Sequence, residues 1–231
     1  MKTIFTKLLI GATSVLTLTL ACSCQKANSE QLNGVRNSES QLYELQANYV
    51  TTSDLTTQES ADLIKMKEEE KLARDVYSAL YKKWNSNVFA NITSSEDSHM
   101  NAIISLLKYY NIAETSVLGV GQFVNPDIQN LYNQLIAKGS TSIADAYATG
   151  ALIEDLDIND LDNCITKTTN SNLLLVYNNI RSGSYNHLNA FVSQLSYIGL
   201  TYTPTYISQD EYNVIIASFS GSGGKGRKSM R

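Results

Sequence analysis

Between Thr56 and Phe219, apolar residues return every three or four positions in several stretches, the spacing of helices with one buried face. Thr56-Thr57-Gln58-Glu59 has capping-box spacing and predicts a helix from near Thr56 to about Lys83. Its inward stripe is Leu63, Met66, Glu70, Ala73, Tyr77, Leu80 and Trp84. Among Glu68, Glu69 and Glu70, only Glu70 falls squarely on that stripe; Glu68 and Glu69 read as solvated, with Glu69 at the edge. A second helix is expected from Val88 to Tyr110, with Phe89, Ile92, Glu96, His99, Ile103, Leu106 and Tyr110 on one face. A long connection follows from Asn111 to Ser140, containing Gly119-Val120-Gly121, Asn125-Pro126 and a short amphipathic helix over about Asp127 to Lys138. The third core helix starts around Ser142, with Asp145 completing a box-like cap, on the stripe Ile143, Tyr147, Gly150, Glu154, Asp157, Leu161 and Cys164. The fourth runs from about Asn170 to Tyr197 on Leu173, Tyr177, Ile180, Ser184, His187, Phe191 and Ile198. A last short helix, Gln209 to Phe219, is expected across the bundle end. The predicted fold is all-α: four core helices, a long crossover carrying a short helix, and a short C-terminal helix.

The ends of the chain add an address. Lys2 and Lys7 precede an apolar run from Leu8 to Ala21 that closes on Ala21-Cys22-Ser23-Cys24, the layout of a secretory signal. That run is short for a membrane span. A cysteine at the cleavage point resembles a bacterial lipoprotein signal, with Cys22 the expected lipidation site and Cys24 the alternative; an ordinary cleaved signal is the competing reading. Residues 1–22 are thus expected to be a signal, 23–53 a polar tether, 54–219 the domain, and 220–231 a disordered Gly/Lys/Arg-rich tail. The expected location is the bacterial envelope, on the periplasmic or surface side, with the membrane reached through the lipid. Cys164 alone lies in the domain, which excludes an internal disulfide framework and reads as a small buried hydrophobe. A net charge of −4 and no basic, aromatic-interleaved face give no case for nucleic acid.

The chemistry lies where charge interrupts the apolar stripes. Burying an unpaired carboxylate beside an imidazole is costly, so Glu96 and His99 need a compensating partner. Glu-x-x-His on an inward helix face is the ligand pair of di-iron helix bundles. The chain has only two histidines, and their surroundings match: His99-Met-Asn-Ala-Ile-Ile-Ser-Leu-Leu lines up with His187-Leu-Asn-Ala-Phe-Val-Ser-Gln-Leu. The alignment extends back to Ile92 with Ile180 and Val88 with Val176, and implies two related helix hairpins about a pseudo-twofold axis. Glu96 then faces Ser184, so the second copy lacks its glutamate, and Asp157, one turn beyond Glu154, restores the carboxylate. The candidate metal set is Glu70, Glu96, His99, Glu154, Asp157 and His187, enough for two divalent cations at nearly balanced charge. A buried polar hydrogen-bond network without metal is the alternative. Tyr77, Tyr177 and Ser184 are candidates for the surrounding shell, with ordinary aromatic core the preferred reading of the two tyrosines.

Glu70-Lys-Leu-Ala73-Arg-Asp-Val-Tyr77 resembles the first-helix pattern of rubrerythrin, Glu96 and His99 its second-helix Glu-x-x-His, Glu154 and Asp157 its third-helix carboxylate pair, and His187 its fourth-helix histidine. Ser184 departs from the glutamate of that pattern. The span from about Leu55 to Phe219 more closely resembles an uncharacterised ferritin-like family, domain of unknown function 2202. The phrases that carry this are Glu-Glu-Lys-Leu-Ala-Arg-Asp-Val-Tyr, Ser-Glu-Asp-Ser-His-Met, Ile-Glu-Asp-Leu-Asp-Ile and Gly-Ser-Tyr-Asn-His-Leu. The resemblance implies a ferritin-like bundle with two metal ions, iron first and manganese, zinc or copper as alternatives.

Three functions follow as expectations. One is a di-iron oxidoreductase acting on oxygen or peroxide, which needs a separate electron donor because the chain lacks Cys-x-x-Cys knuckles. Another is a non-enzymatic metal-binding or metal-sensing lipoprotein. The third is a structural or interaction bundle without metal. A homodimer is compatible with all three, whereas a tether on every subunit argues against a closed storage shell.

Overall fold

A computed structural model describes residues 54–113 and 118–220. The expected signal, the tether and all but the first residue of the tail lie outside them. The described residues form an all-α bundle: α1 (Thr57–Trp84), α2 (Asn87–Tyr109), α3 (Pro126–Gly139), α4 (Ile143–Lys167), α5 (Ser171–Tyr197) and α6 (Gln209–Ser220). Among these residues no helix is long and apolar enough to cross a membrane.

The helix starts follow local chemistry. Thr56 caps α1 in a full capping box: its hydroxyl accepts from the Glu59 N–H at 3.1 Å, while the Glu59 carboxylate accepts from the Thr56 N–H at 2.8 Å. Ser142 caps α4 through the Asp145 N–H, and Asn170 caps α5 through the Asn172 N–H. Asn85 ends α1 in the left-handed conformation that a short polar side chain tolerates. Two-residue and three-residue links make antiparallel hairpins of α1 with α2 and of α4 with α5. The crossover between the hairpins carries α3, which packs on α1 and α4.

Two apolar clusters fill the bundle. One includes Leu80, Phe89, Tyr147, Phe191 and Leu195; the other includes Leu63, Met66, Ile103, Leu107, Leu161 and Leu173. Between them each core helix contributes polar side chains: Glu70, Glu96 with His99, Glu154 with Asp157, and Ser184 with His187. The site is therefore a polar layer clamped between two dry cores. The expected α5 stripe holds except at its end, where Ile198 caps the helix and is 41 % exposed.

Glu68 and Glu69 correct the helical-wheel reading, because both are buried rather than solvated. Glu68 accepts from the N–H groups of Val124 and Asn125 at 2.9 and 3.0 Å, so the crossover covers it. Glu69 is paired with Lys65 at 2.7 Å. One turn on, Lys71 and Asp75 form a buried pair that also holds the crossover: Lys71 Nζ donates to Gly119 O at 3.0 Å, and Asp75 accepts from the Gly121 N–H at 2.9 Å. Gly121 sits at φ +74, with Tyr132 packed where a side chain would go, so only glycine fits there.

The C-terminal arm hangs on Asp155, which is fully buried. Asp155 accepts from the Tyr202 hydroxyl at 2.8 Å and from the N–H groups of Thr205, Tyr206 and Ile207. Beyond this clasp, α6 seats Tyr212 and Ile215 in the first cluster, at the end of the bundle where it was expected. Asp155→Ala would leave the buried Ile207 N–H without an acceptor, at roughly 1–3 kcal/mol, and would release the Thr205 and Tyr206 N–H groups to solvent. The expected result is a several-degree loss of Tm and early protease cleavage near residue 204, checked by calorimetry and limited proteolysis.

Candidate metal centre

Each helix delivers its side chains to the polar layer at helical spacing. Glu70 on α1 and Glu96 on α2 are almost fully buried, as is Glu154 on α4, while His187 on α5 is buried and His99 on α2 is 14 % exposed on its side chain. Glu96 lies at the centre. Its Oε2 is 2.9 Å from His99 Nδ1, and its Oε1 is 2.8 Å from His187 Nδ1. Glu70 Oε2 approaches His99 Nδ1 at 3.3 Å, and Glu154 Oε2 approaches His187 Nδ1 at 3.4 Å. Two triads result, Glu70–Glu96–His99 and Glu96–Glu154–His187, and in each the donor atoms lie within 4.8 Å of one another. Glu96 belongs to both.

Several of these atoms are close without being bonded. Both oxygens of Glu70, Oε1 of Glu96 and Nδ1 of His187 are buried and lack a directed hydrogen-bond partner. The short Glu96–His187 approach is thus a convergence of ligand atoms on a shared space, since neither atom points properly at the other. Buried donors and acceptors left this way are costly, and a cation between them would satisfy them together. Carboxylate oxygens with one imidazole nitrogen per position suit a divalent first-row metal, and the donor set fits a pair of such ions. A cavity lined by Glu70, Glu96, Glu154, Asp157 and the apolar Leu72, Ala73, Ile153 and Leu156 adjoins the triads.

The two triads meet at Glu96, and the His99 and His187 rings stack with centroids 5.5 Å apart. The surroundings differ. His187 Nε2 is 3.0 Å from the Ser95 hydroxyl, a contact that fixes the ring with Nδ1 turned inward. The residue equivalent to Ser95 in the repeat is Gly183, and His99 packs directly against it. A Cβ built at Gly183 would lie 2.6 Å from both Cε1 and Nε2 of His99, so the glycine leaves room for the ring. Neither Ser95 nor Gly183 was singled out from sequence; the alignment already paired their neighbours Glu96 and Ser184.

The remaining candidates separate. Tyr77 donates to Glu154 Oε1 at 2.5 Å, holding that carboxylate in place. Burial and the neighbouring Glu154 push its phenol well above the usual range, so it stays a donor. Ser184 donates to Asp157 Oδ2 at 2.5 Å, which ties Asp157 to the helix that lacks a glutamate. Asp157 lies on the cavity wall but in neither triad, a place beside the ligands rather than among the closest donors. Tyr177 follows its aromatic-core reading rather than the alternative that put it beside the site. It is buried in the second apolar cluster, its hydroxyl has no hydrogen-bond partner, and its ionisable neighbours are Cys164, Asp62 and Glu59. Cys164 is half-buried with its thiol pushed up to about 12 by burial, which leaves it unreactive at neutral pH.

Burial and mutual repulsion favour protons in the layer. Burial pushes Glu70 up to about 8 and raises Asp157 and Glu154, with neighbouring carboxylates adding to the shift for the latter two. Burial opposes charge on the histidines too, yet the Glu96 carboxylate outweighs it and lifts His187 to about 10. Glu96 is held well below its usual range by the two imidazoles, despite its burial. A folded chain therefore binds more protons than the unfolded one from about pH 4.5 to 8 through Glu70, and from 6.5 to 10 through His187. Stability of the metal-free protein is expected to fall as pH rises across that range. Denaturant unfolding at pH 6 and pH 9 checks it, and added divalent metal should reverse the order.

Comparison with known proteins matches residues 59–219 to the uncharacterized protein domain DUF2202. The chain belongs to that family. It is 48 % identical over 170 residues to uncharacterized protein MJ0754 of Methanocaldococcus jannaschii, covering 73 % of this chain and 92 % of that one. The crystal structure of hypothetical protein MJ0754 superposes with a TM-score of 0.72 at 46 % identity, covering 74 % of this chain and 98 % of the other.

Proposed function

We propose that this DUF2202 chain is a ferritin-like protein holding two metal ions that share Glu96, with iron the first choice. The observation behind it is the membership of Glu96 in both Glu–Glu–His triads, with unbonded ligand atoms of α1, α2 and α5 converging beside Glu154 of α4. Glu70, Glu96, His99, Glu154 and His187 would hold the pair, and two ferrous ions there would supply the two electrons needed to reduce peroxide to water or to begin reducing oxygen. The chain's own residues set the conditions for that chemistry. Tyr77 holds a proton against Glu154 Oε1, and the Tyr77, Phe89 and Phe191 rings close the side towards the first apolar cluster. The electron donor is a separate protein. The signal-like N-terminus supports a place at the envelope, anchored through Cys22 or Cys24.

Loading metal-free protein with ferrous iron without oxygen, then adding peroxide or oxygen, tests the redox reading. Loss of ferrous iron, followed with a ferrous chelator after quenching, with matching consumption of one oxidant is expected. Persistence of ferrous iron with both oxidants would instead support passive metal holding, a reading favoured by the serine at Ser184 where a glutamate would enrich the set.

A further inference from the structure

Besides Asp157, which Ser184 holds, the two triads leave Glu69 on the cavity wall unused. Glu69 is 8 % exposed, and it lines the same cavity as Glu70, Glu96, Glu154 and Asp157. Its Oε1 meets Lys65 Nζ at 2.7 Å, whereas its Oε2 is buried with no hydrogen-bond partner. Lys65 Nζ is also 2.7 Å from Asp160 Oδ2, so one ammonium sits between carboxylates of α1 and α4. The Lys65 side chain is 47 % exposed and Asp160 19 %, which puts this position at the protein surface on the outer side of Glu69. On α4, Asp160, Asp157 and Glu154 follow at intervals of three, a single face running inward from the surface to the triads.

From this arrangement, and resting on the two-metal reading, we infer that Glu69 and Asp160 form an outer cation station through which divalent ions reach the inner pair. The Lys65 ammonium marks where a cation sits between the two carboxylates. A divalent ion replaces it when Lys65, whose long side chain is half-exposed, swings into solvent, the ion taking over the pairing that the ammonium gave both carboxylates. The ion then balances two negative charges, and the unbonded Glu69 Oε2 offers it a contact inside the cavity mouth. Passage inward goes to Glu70 and Asp157. The inner pair needs no ligand from Glu69 once loaded.

Stopped-flow loading of the metal-free full chain with cobalt(II), read by its visible absorption and by final metal content, tests this. Glu69→Gln keeps the side-chain volume and removes the ionisable carboxylate that an incoming ion would engage; it is expected to slow loading about tenfold while the final cobalt content equals that of the unaltered protein. Lys65→Met removes the competing ammonium and is expected to speed loading. Opposite changes in rate at unchanged final content are not what general destabilisation produces. Loading of Glu69→Gln at the unaltered rate would overturn the station, and so would a lower final content, which would make Glu69 an inner ligand. Failure of the unaltered chain to take up cobalt at all would overturn the two-metal reading itself, a separate outcome.

Discussion

Glu96→Gln should abolish binding at both metal positions at once. The amide keeps the length and shape of the side chain, but it presents one weak oxygen where the carboxylate presents two charged ones. Since Oε2 faces His99 and Oε1 faces His187, both triads lose their common member. Titration of metal-free protein should show both affinities reduced by at least about 100-fold, beyond the range seen when only supporting residues are changed. Glu70→Gln and Glu154→Gln each touch one triad, so each should weaken one position and spare the other. Equal effects from all three substitutions would show that Glu96 has no shared role. Glu96→Gln also leaves the histidines without their main counter-charge, so the metal-free variant should lose the elevated His187 titration.

Gly183→Ala should separate folding from metal affinity. Within a helix, alanine in place of glycine favours the helix by about 1 kcal/mol when there is room for the methyl group. Here the room is occupied, because that Cβ would lie 2.6 Å from the His99 ring. The ring must shift, and its Nδ1 moves away from Glu96 and Glu70. Circular dichroism should show an intact helical protein while one metal position weakens by about 10–100-fold. Ser95→Ala removes the hydroxyl on His187 Nε2 without introducing a clash, so its effect should be smaller and confined to the other position. Unchanged metal titration of Gly183→Ala would mean that His99 is not held where it contacts α5.

How far the sequence reaches is clearest in α1. Its start at Thr56 was legible because a capping box is a local device, written within four residues. Glu70 was legible as well, since helical spacing alone puts it beneath Met66 and Ala73. The burial of Glu68 was not, because its partners, the Val124 and Asn125 N–H groups, belong to a crossover more than fifty residues away. A helical wheel assigns such a face to water when nothing in the local pattern says that a loop will cover it. Glu69 was misread for the same reason, its environment being completed by Asp160 on α4.

The histidine repeat made the pairing of the two hairpins legible, and with it the convergence of Glu96, His99 and His187. It did not reveal what stands behind each ring. Ser95 and Gly183 occupy equivalent positions in the repeat, but only the packed helices show that each abuts the imidazole of the opposite copy. Tyr177 shows why its aromatic-core reading is the better of the two that the sequence offers. It shares a stripe with Ser184 and His187, yet two helical turns carry it out of the polar layer into the second apolar cluster. A stripe gives the face of a helix and leaves the depth along the axis to be set by packing. Asp155 was invisible from sequence as a structural acceptor, because its donors come from an arm with no periodic pattern.

The shared role of Glu96 is tested most directly by the metal-to-chain ratio. The protein is purified without chelators, and a second sample is stripped and reloaded with ferrous iron under anaerobic conditions. About two equivalents per chain, filled together and both lost in Glu96→Gln, are expected. A ratio that stays below about half an equivalent after reloading, or that saturates at one, would contradict a two-metal centre built on Glu96.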